Sequence, residues 1–166
     1  NGVGCFAVDN LEELESINRI AGEKGIKQRI IFRVTPGIDT HTYEAVNTGK
    51  VDSKFGSAIE TGQAFEITKA ALGLENIKLC GFHCHVGSQI FDSEIYIRSS
   101  EIMLEFIAEV KEKLGFQAEI LDLGGGYGVR YIEANPYIDI DKNISQLCAF
   151  IKNTVAQLGI RMPKIC

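Results

Sequence analysis

Gly81-Phe82-His83-Cys84-His85-Val86-Gly87-Ser88-Gln89 and Leu121-Asp122-Leu123-Gly124-Gly125-Gly126-Tyr127-Gly128 decide how this chain folds. In each, an apolar strand-like run stops abruptly at small or hydroxyl-bearing residues. Backbone of that kind can bring N–H groups up to an anion with no Cβ in the way. The first string also carries a histidine pair. Together they predict a phosphate-bearing cofactor held at the carboxyl ends of parallel strands.

Outward from these strings the chain alternates strand and helix. Val3 to Val8 reads as a short buried strand. Asp9 or Asn10 caps a helix with Leu11, Leu14, Ile17 and Ala21 on one face, closed at Gly25. Arg29 to Val34 is a second strand, followed by a polar stretch, Thr35 to Ile59, too long for an ordinary connection. A helix near Glu60 to Leu72 precedes the strand Ile77 to His85. From Asp92 or Ser93 a longer helix presents Met103, Phe106, Ile107, Val110 and Leu114 on one face. Glu119 to Leu123 is a strand, and Ile144, Leu147, Ile151, Val155 and Leu158 stripe a last helix before Gly159. A further strand occupies Met162 to Cys166.

Strict alternation demands parallel strands joined by right-handed crossovers. A closed eight-fold barrel takes ~250 residues, so the 166 residues here are expected to be part of one: four βα units and one extra strand of an α/β, TIM-type barrel. A small doubly wound domain is the competing architecture. The formal net charge of -5 and the lack of a basic run argue against nucleic acid as a partner. No apolar stretch reaches the ~20 residues of a membrane helix, and no signal peptide opens the chain, so no membrane partner and a cytoplasmic location are expected. The five cysteines lack CxxC spacing and read as buried, reduced thiols.

Side chains of a strand alternate between faces. If Cys80, Phe82 and Cys84 face helices, then Gly81, His83 and His85 face the barrel axis. If Ile30, Phe32 and Val34 face helices, Arg33 faces the axis, as does Asp122 when Leu121 and Leu123 point outward. Four polar groups, Arg33, His83, His85 and Asp122, then converge from three strands at the end where such barrels carry their active sites. Each has a structural reading as well. A strand-end histidine can be a hydrogen-bonded core residue, Asp122 a cap for the following turn, Arg33 the partner of a carboxylate, and the triple glycine a tight turn. The ligand types of His83, His85, His41 and Asp122 also admit zinc, giving a metal-dependent TIM-barrel hydrolase as the alternative enzyme class. A non-catalytic cofactor-binding homologue is the alternative outside enzymes.

The strings, in this order and spacing, resemble those of the alanine-racemase-like, pyridoxal-phosphate-dependent decarboxylases. The resemblance runs through nearly the whole chain: Val8-Asp9-Asn10-Leu11-Glu12-Glu13-Leu14, Phe32-Arg33-Val34-Thr35-Pro36-Gly37, His41-Thr42, Thr48-Gly49, Asp52-Ser53-Lys54-Phe55-Gly56 and the two strings above. His-Cys-His in place of a single histidine preceded by Ser-Phe favours the branch acting on diaminopimelate over that acting on ornithine. The resemblance implies conversion of meso-diaminopimelate to L-lysine, with pyridoxal 5'-phosphate as cofactor and no metal. It makes His85 the histidine stacked on the cofactor ring, and the one catalytic residue in the chain. Ser88 becomes a phosphate contact, Gly124, Gly125 and Gly126 the phosphate-binding glycines, and Arg33 an arginine near the phenolic edge. Asp122 falls among the cofactor-binding residues. Lys54 belongs to a segment reaching the rim of an active site shared in a homodimer. Tyr43 stands where many relatives have a second histidine.

The same resemblance puts the cofactor-attached lysine before Asn1 and a Glu-Pro-Gly-Arg motif and a carboxyl-terminal β-domain after Cys166. The chain is therefore expected to be residues 1–166 of a single pyridoxal-phosphate-binding barrel domain, inactive in isolation.

Overall fold

In the computed structural model, which describes residues 2–38 and 55–166, six strands form one sheet. The elements are β1 (Phe6–Val8), α1 (Leu11–Glu23), β2 (Gln28–Thr35), β3 (Ser57–Ala58), α2 (Gln63–Leu72), β4 (Ile77–His83), α3 (Ser93–Leu114), β5 (Ile120–Asp122), α4 (Ile140–Gln157) and β6 (Lys164–Ile165). Every pairing is parallel, in the order β1-β2-β4-β5-β6, with β3 attached to the end of β2. Strand order follows chain order without reversal. A doubly wound sheet needs such a reversal, so that architecture is excluded and the expected partial barrel stands.

The helices begin where side chains can hold their first N–H groups. Asn10 Oδ1 accepts from Glu13 N at 2.9 Å, Asp92 Oδ1 from Glu94 N at 2.9 Å, and Asp139 Oδ1 from Lys142 N at 3.0 Å. With Asn10 as the cap of α1, Asp9 is left for another partner. Gly115, at φ 69°, closes α3. The apolar stripes pack on one face of the sheet. Met103, Phe106, Ile107 and Val110 of α3 and Leu147, Ile151 and Val155 of α4 are buried with Ile30, Phe32, Val34, Phe82 and Leu121. Phe82 meets the ring of Phe106 edge-on at 5.0 Å and that of Phe116 at 6.1 Å.

One expectation about β4 is corrected. Ile30 pairs with Leu79 but Ile31 pairs with Gly81, so Cys80 is the extra residue of a β-bulge. The bulge resets the alternation. Ile77 and Leu79 reach the helix-covered core before it, and Phe82 and Cys84 after it, while Cys80 is buried outside that core. Arg29 Nε lies 3.2 Å from its sulfur. A strict period of two puts Cys80 with the helices, and the bulge does not. Gly81 carries the next constraint, because a Cβ there would collide with the backbone carbonyl of Ile120. At the amino end of the open face, Lys78 and Arg29 flank Glu119 at 3.0 and 3.8 Å.

β2 runs longer than the sequence suggests, over Gln28–Thr35, and the other expected strands are shorter. β1 starts at Phe6 and buries only Val8, against the expected buried strand; β4 stops at His83, and His85 lies in the loop beyond it. The short β3 was not expected. Of the cysteines, Cys80 and Cys84 are buried, but Cys148 and Cys166 are exposed and Cys5 is half-buried, so the uniform buried-thiol expectation fails for three of them. Cys148 falls on the outer side of α4, where no further layer packs among the described residues.

Candidate active site

A rung of polar residues crosses the carboxyl end of the sheet. Arg33 is the register partner of His83, and His83 of Asp122. Asp9, just past Val8 and its partner Phe32, comes level with Arg33. Residues on one rung share a face, so all four lie on the side away from the helices, as expected for Arg33, His83 and Asp122. Arg33 Nη1 is 3.4 Å from Asp9 Oδ1, and His83 Nδ1 is 3.3 Å from Asp122 Oδ2. The Arg33 guanidinium also lies 4.9 Å from the centroid of the Phe55 ring. The bulge makes this rung possible, since without the extra residue the helix-packed Ile77 and Leu79 would put His83 on the covered face.

Above the rung, Asp122 Oδ1 accepts the N–H of Gly124 at 2.8 Å, and Cys84 N donates to the Asp122 carbonyl at 2.9 Å. Asp122 therefore does cap the glycine turn, and it faces the open side as well. Gly124 has φ 70°, and a Cβ on it would stand 2.7 Å from the Cys84 carbonyl and 3.0 Å from His85 Nδ1. The imidazole of His85 is thus against the glycine turn, exposed on its other side. Gly126, at φ 99°, presses on Gly87 so closely that a Cβ would collide with the Gly87 carbonyl, and it would come within 3.3 Å of Ser88 Cα. Gly125 differs, since a Cβ there meets nothing within 4 Å. That glycine borders open space and no packing demand accounts for it.

The two loops are bonded to each other. Ile90 N donates to the Gly126 carbonyl at 2.9 Å, and Gly128 N to the Ile90 carbonyl at 2.8 Å. Behind them the Tyr127 ring stacks on Tyr96 of α3 at 4.2 Å, with an interplanar angle of 17°. Burial holds the hydroxyls of both tyrosines above the usual phenol range. Burial, reinforced by the nearby Asp122 charge, pushes the Cys84 thiol up to about 12, so it is protonated at neutral pH and is no nucleophile.

His85, Ser88, Gly124, Gly125, Gly126 and Asp122 are therefore brought together, with Arg33 joined to them through His83. Lys54, with His41 and Tyr43, lies outside the described residues. Asp9 and Phe55 as partners of Arg33, and Tyr96 as the support of Tyr127, are missing from the sequence reading. Asp9 had a signal, since two adjacent capping residues precede α1 and only one is needed. Among the described residues no three His, Cys, Asp or Glu side chains group as metal ligands.

Such a site can seat a phosphate on the N–H groups of the glycine turn, with a flat ring beside His85. Two observations fit a phosphorylated aromatic cofactor. Gly125 borders open space, with no Cβ to obstruct an approach to its N–H, and His83 Nδ1 is buried on the same face without a hydrogen-bond partner, its carboxylate neighbour lying off the bond direction.

Comparison with known proteins agrees. The family model described as pyridoxal-dependent decarboxylase, pyridoxal binding domain, matches residues 1–166. The diaminopimelate decarboxylase of Bacillus methanolicus is 38% identical over 163 residues, which cover 98% of this chain and 38% of that protein. That of Staphylococcus aureus is 38% identical over 165 residues, covering 99% and 38%. Among solved structures, diaminopimelate decarboxylase from M. jannaschii in co-complex with L-lysine matches with a TM-score of 0.82 at 34% identity, covering 97% of this chain and 36% of that one. The chain thus spans well under half the length of the relatives it matches. None of these relatives favours the metal-hydrolase alternative.

Proposed function

This chain belongs to the pyridoxal-dependent decarboxylases, as their pyridoxal-binding domain, and from that premise we propose that it is the cofactor-binding barrel segment of a diaminopimelate decarboxylase. The full-length enzyme releases carbon dioxide from meso-diaminopimelate and leaves L-lysine. The identity to curated diaminopimelate decarboxylases supports this substrate, as does the L-lysine held by the M. jannaschii relative. The observation that carries the reading is the joining of the Ser88 and Gly126 loops beside the Asp9–Arg33–His83–Asp122 rung.

Pyridoxal phosphate, when bound, supplies an electron sink for the pair left as the bond from Cα to the carboxylate breaks. The chain's own residues bind and orient. The Gly124 N–H is taken by Asp122, so the N–H groups of Gly125 and Gly126 and the Ser88 hydroxyl would hold the phosphate, with Gly124 shaping the turn. His85, exposed beside the glycine turn, would stack on one face of the ring and fix its orientation. Arg33, its charge held by Asp9, lies toward the phenolic edge. Asp122 keeps the turn in shape through Gly124. The assembled enzyme is a cytoplasmic homodimer whose shared active site carries Lys54 at its rim.

The test is direct. Full-length protein carrying this segment, titrated with pyridoxal phosphate, develops the absorbance band of the lysine-linked cofactor and releases carbon dioxide from meso-diaminopimelate in preference to ornithine. Absence of the band, or preference for ornithine, contradicts the proposal.

A further inference from the structure

Gln89 is the one non-glycine residue among those described with a positive φ, at 58°. A residue with a Cβ enters that region only when its surroundings compensate. Here the compensation is visible. Val129 N donates to Gln89 Oε1 at 2.8 Å, and Gln89 Nε2 donates to the Val129 carbonyl at 3.2 Å. The side-chain amide thus takes up both polar groups of one residue, as a neighbouring strand would. Immediately after it, Ile90 makes its two backbone bonds to Gly126 and Gly128. Four hydrogen bonds from two consecutive residues therefore tie the loop ending in Ser88 to the loop that begins at the triple glycine.

The consequence lies one residue away on each side. Ser88 precedes Gln89, and Gly126 is the residue whose carbonyl Ile90 engages. The two loops come from different strands, β4 and β5, whose continuous pairing ends at His83 and Asp122, and beyond it only an isolated parallel bridge joins Ile90 to Tyr127 among the described residues. Their separation at the site is set by this bridge. Gln89 itself is exposed and lies outside the buried core, so its amide acts on the spacing of the two loops and not on core packing.

We propose that Gln89 is a positioning residue for cofactor phosphate: by clamping Val129, it fixes the distance between the Ser88 hydroxyl and the Gly126 N–H, so that both meet one phosphate group. This rests on the pyridoxal-phosphate reading and deepens it. The clamp acts on the phosphate and leaves the ring contact of His85 alone, because His85 is held against Gly124 by backbone that Gln89 does not touch.

The experiment compares pyridoxal phosphate with pyridoxal, which lacks the phosphate, as ligands of the full-length enzyme carrying Gln89→Ala or Gln89→Gly. Two lost hydrogen bonds correspond to about a tenfold weakening. Both variants are expected to lose about that much affinity for pyridoxal phosphate, while affinity for pyridoxal changes less than about twofold and thermal stability of the cofactor-free protein is retained. Equal loss for both ligands, or no loss for either, overturns the proposal. So does wild-type affinity in Gln89→Gly, since glycine adopts the same backbone freely and its success would leave the amide clamp without a role. A wild-type enzyme that takes up neither ligand overturns the cofactor reading itself, and the clamp with it.

Discussion

Asp122 serves two neighbours at once: its Oδ2 lies 3.3 Å from His83 Nδ1 on the adjacent strand, and its Oδ1 accepts the Gly124 N–H at 2.8 Å. One carboxylate therefore stands in the rung of polar residues while its hydrogen bond holds the glycine turn. Replacing it by alanine frees the Gly124 N–H and leaves the turn unsupported. Hydrogen bonds to charged groups contribute about 1.5–3 kcal/mol, so Asp122→Ala is expected to lose stability in that range in denaturant titration and to weaken cofactor binding. Asp122→Asn retains an acceptor and is expected to lose less of both.

The glycines divide by what a Cβ would meet. Gly81→Ala drives a methyl into the Ile120 backbone, where neither strand can give, and is expected to cost about 1–3 kcal/mol or more. Gly125→Ala, in open space, is expected to leave stability within about 0.5 kcal/mol of wild type. Thermal unfolding of the two variants of the full-length protein checks both statements.

Ring contact and phosphate contact should separate by mutation. His85→Ala removes the stacking surface and loosens ring orientation. A misplacement of about 1 Å can cost about 100-fold in rate, so turnover is expected to fall far more than cofactor affinity. Gly126→Val is expected to do the reverse, since a side chain there displaces Gly87 and spreads the two loops. Steady-state kinetics beside cofactor titration distinguishes the two patterns.

Cys84 makes stability depend on alkaline pH. Its folded-state value of about 12 lies above the ordinary thiol value of 9.0, so the folded protein holds this proton more tightly than the unfolded chain. The associated stability is fully present below about pH 9 and falls as pH rises toward 12, by about 1.4 kcal/mol per unit. Cys84→Ala is expected to flatten that slope, measured as denaturant midpoints from pH 8 to 11.

Much of this was legible before any coordinates. The stripes of α3 and α4 announce their buried faces because helical periodicity survives over many turns, as Met103 to Val110 and Leu147 to Val155 bear out, whereas Ile144 at the start of the α4 stripe is exposed. The glycine turn was legible because three glycines after a strand have few other uses. The bulge at Cys80 was not, since one extra residue leaves the same letters in the same order and only a neighbouring strand reveals the skipped pairing. The Gln89 clamp was hidden for a related reason: its partner lies 40 residues along the chain. Asp9 and Asn10 both read as caps of α1 because capping is local, whereas the contact of Asp9 with Arg33 depends on register.

The most direct measurement is the crystal structure of the full-length protein grown with pyridoxal phosphate. The account predicts the phosphate within about 3 Å of both Gly126 N and Ser88 Oγ, with the pyridine ring lying against the exposed side of the His85 imidazole. A phosphate seated away from those two loops, or a ring that leaves His85 untouched, contradicts it.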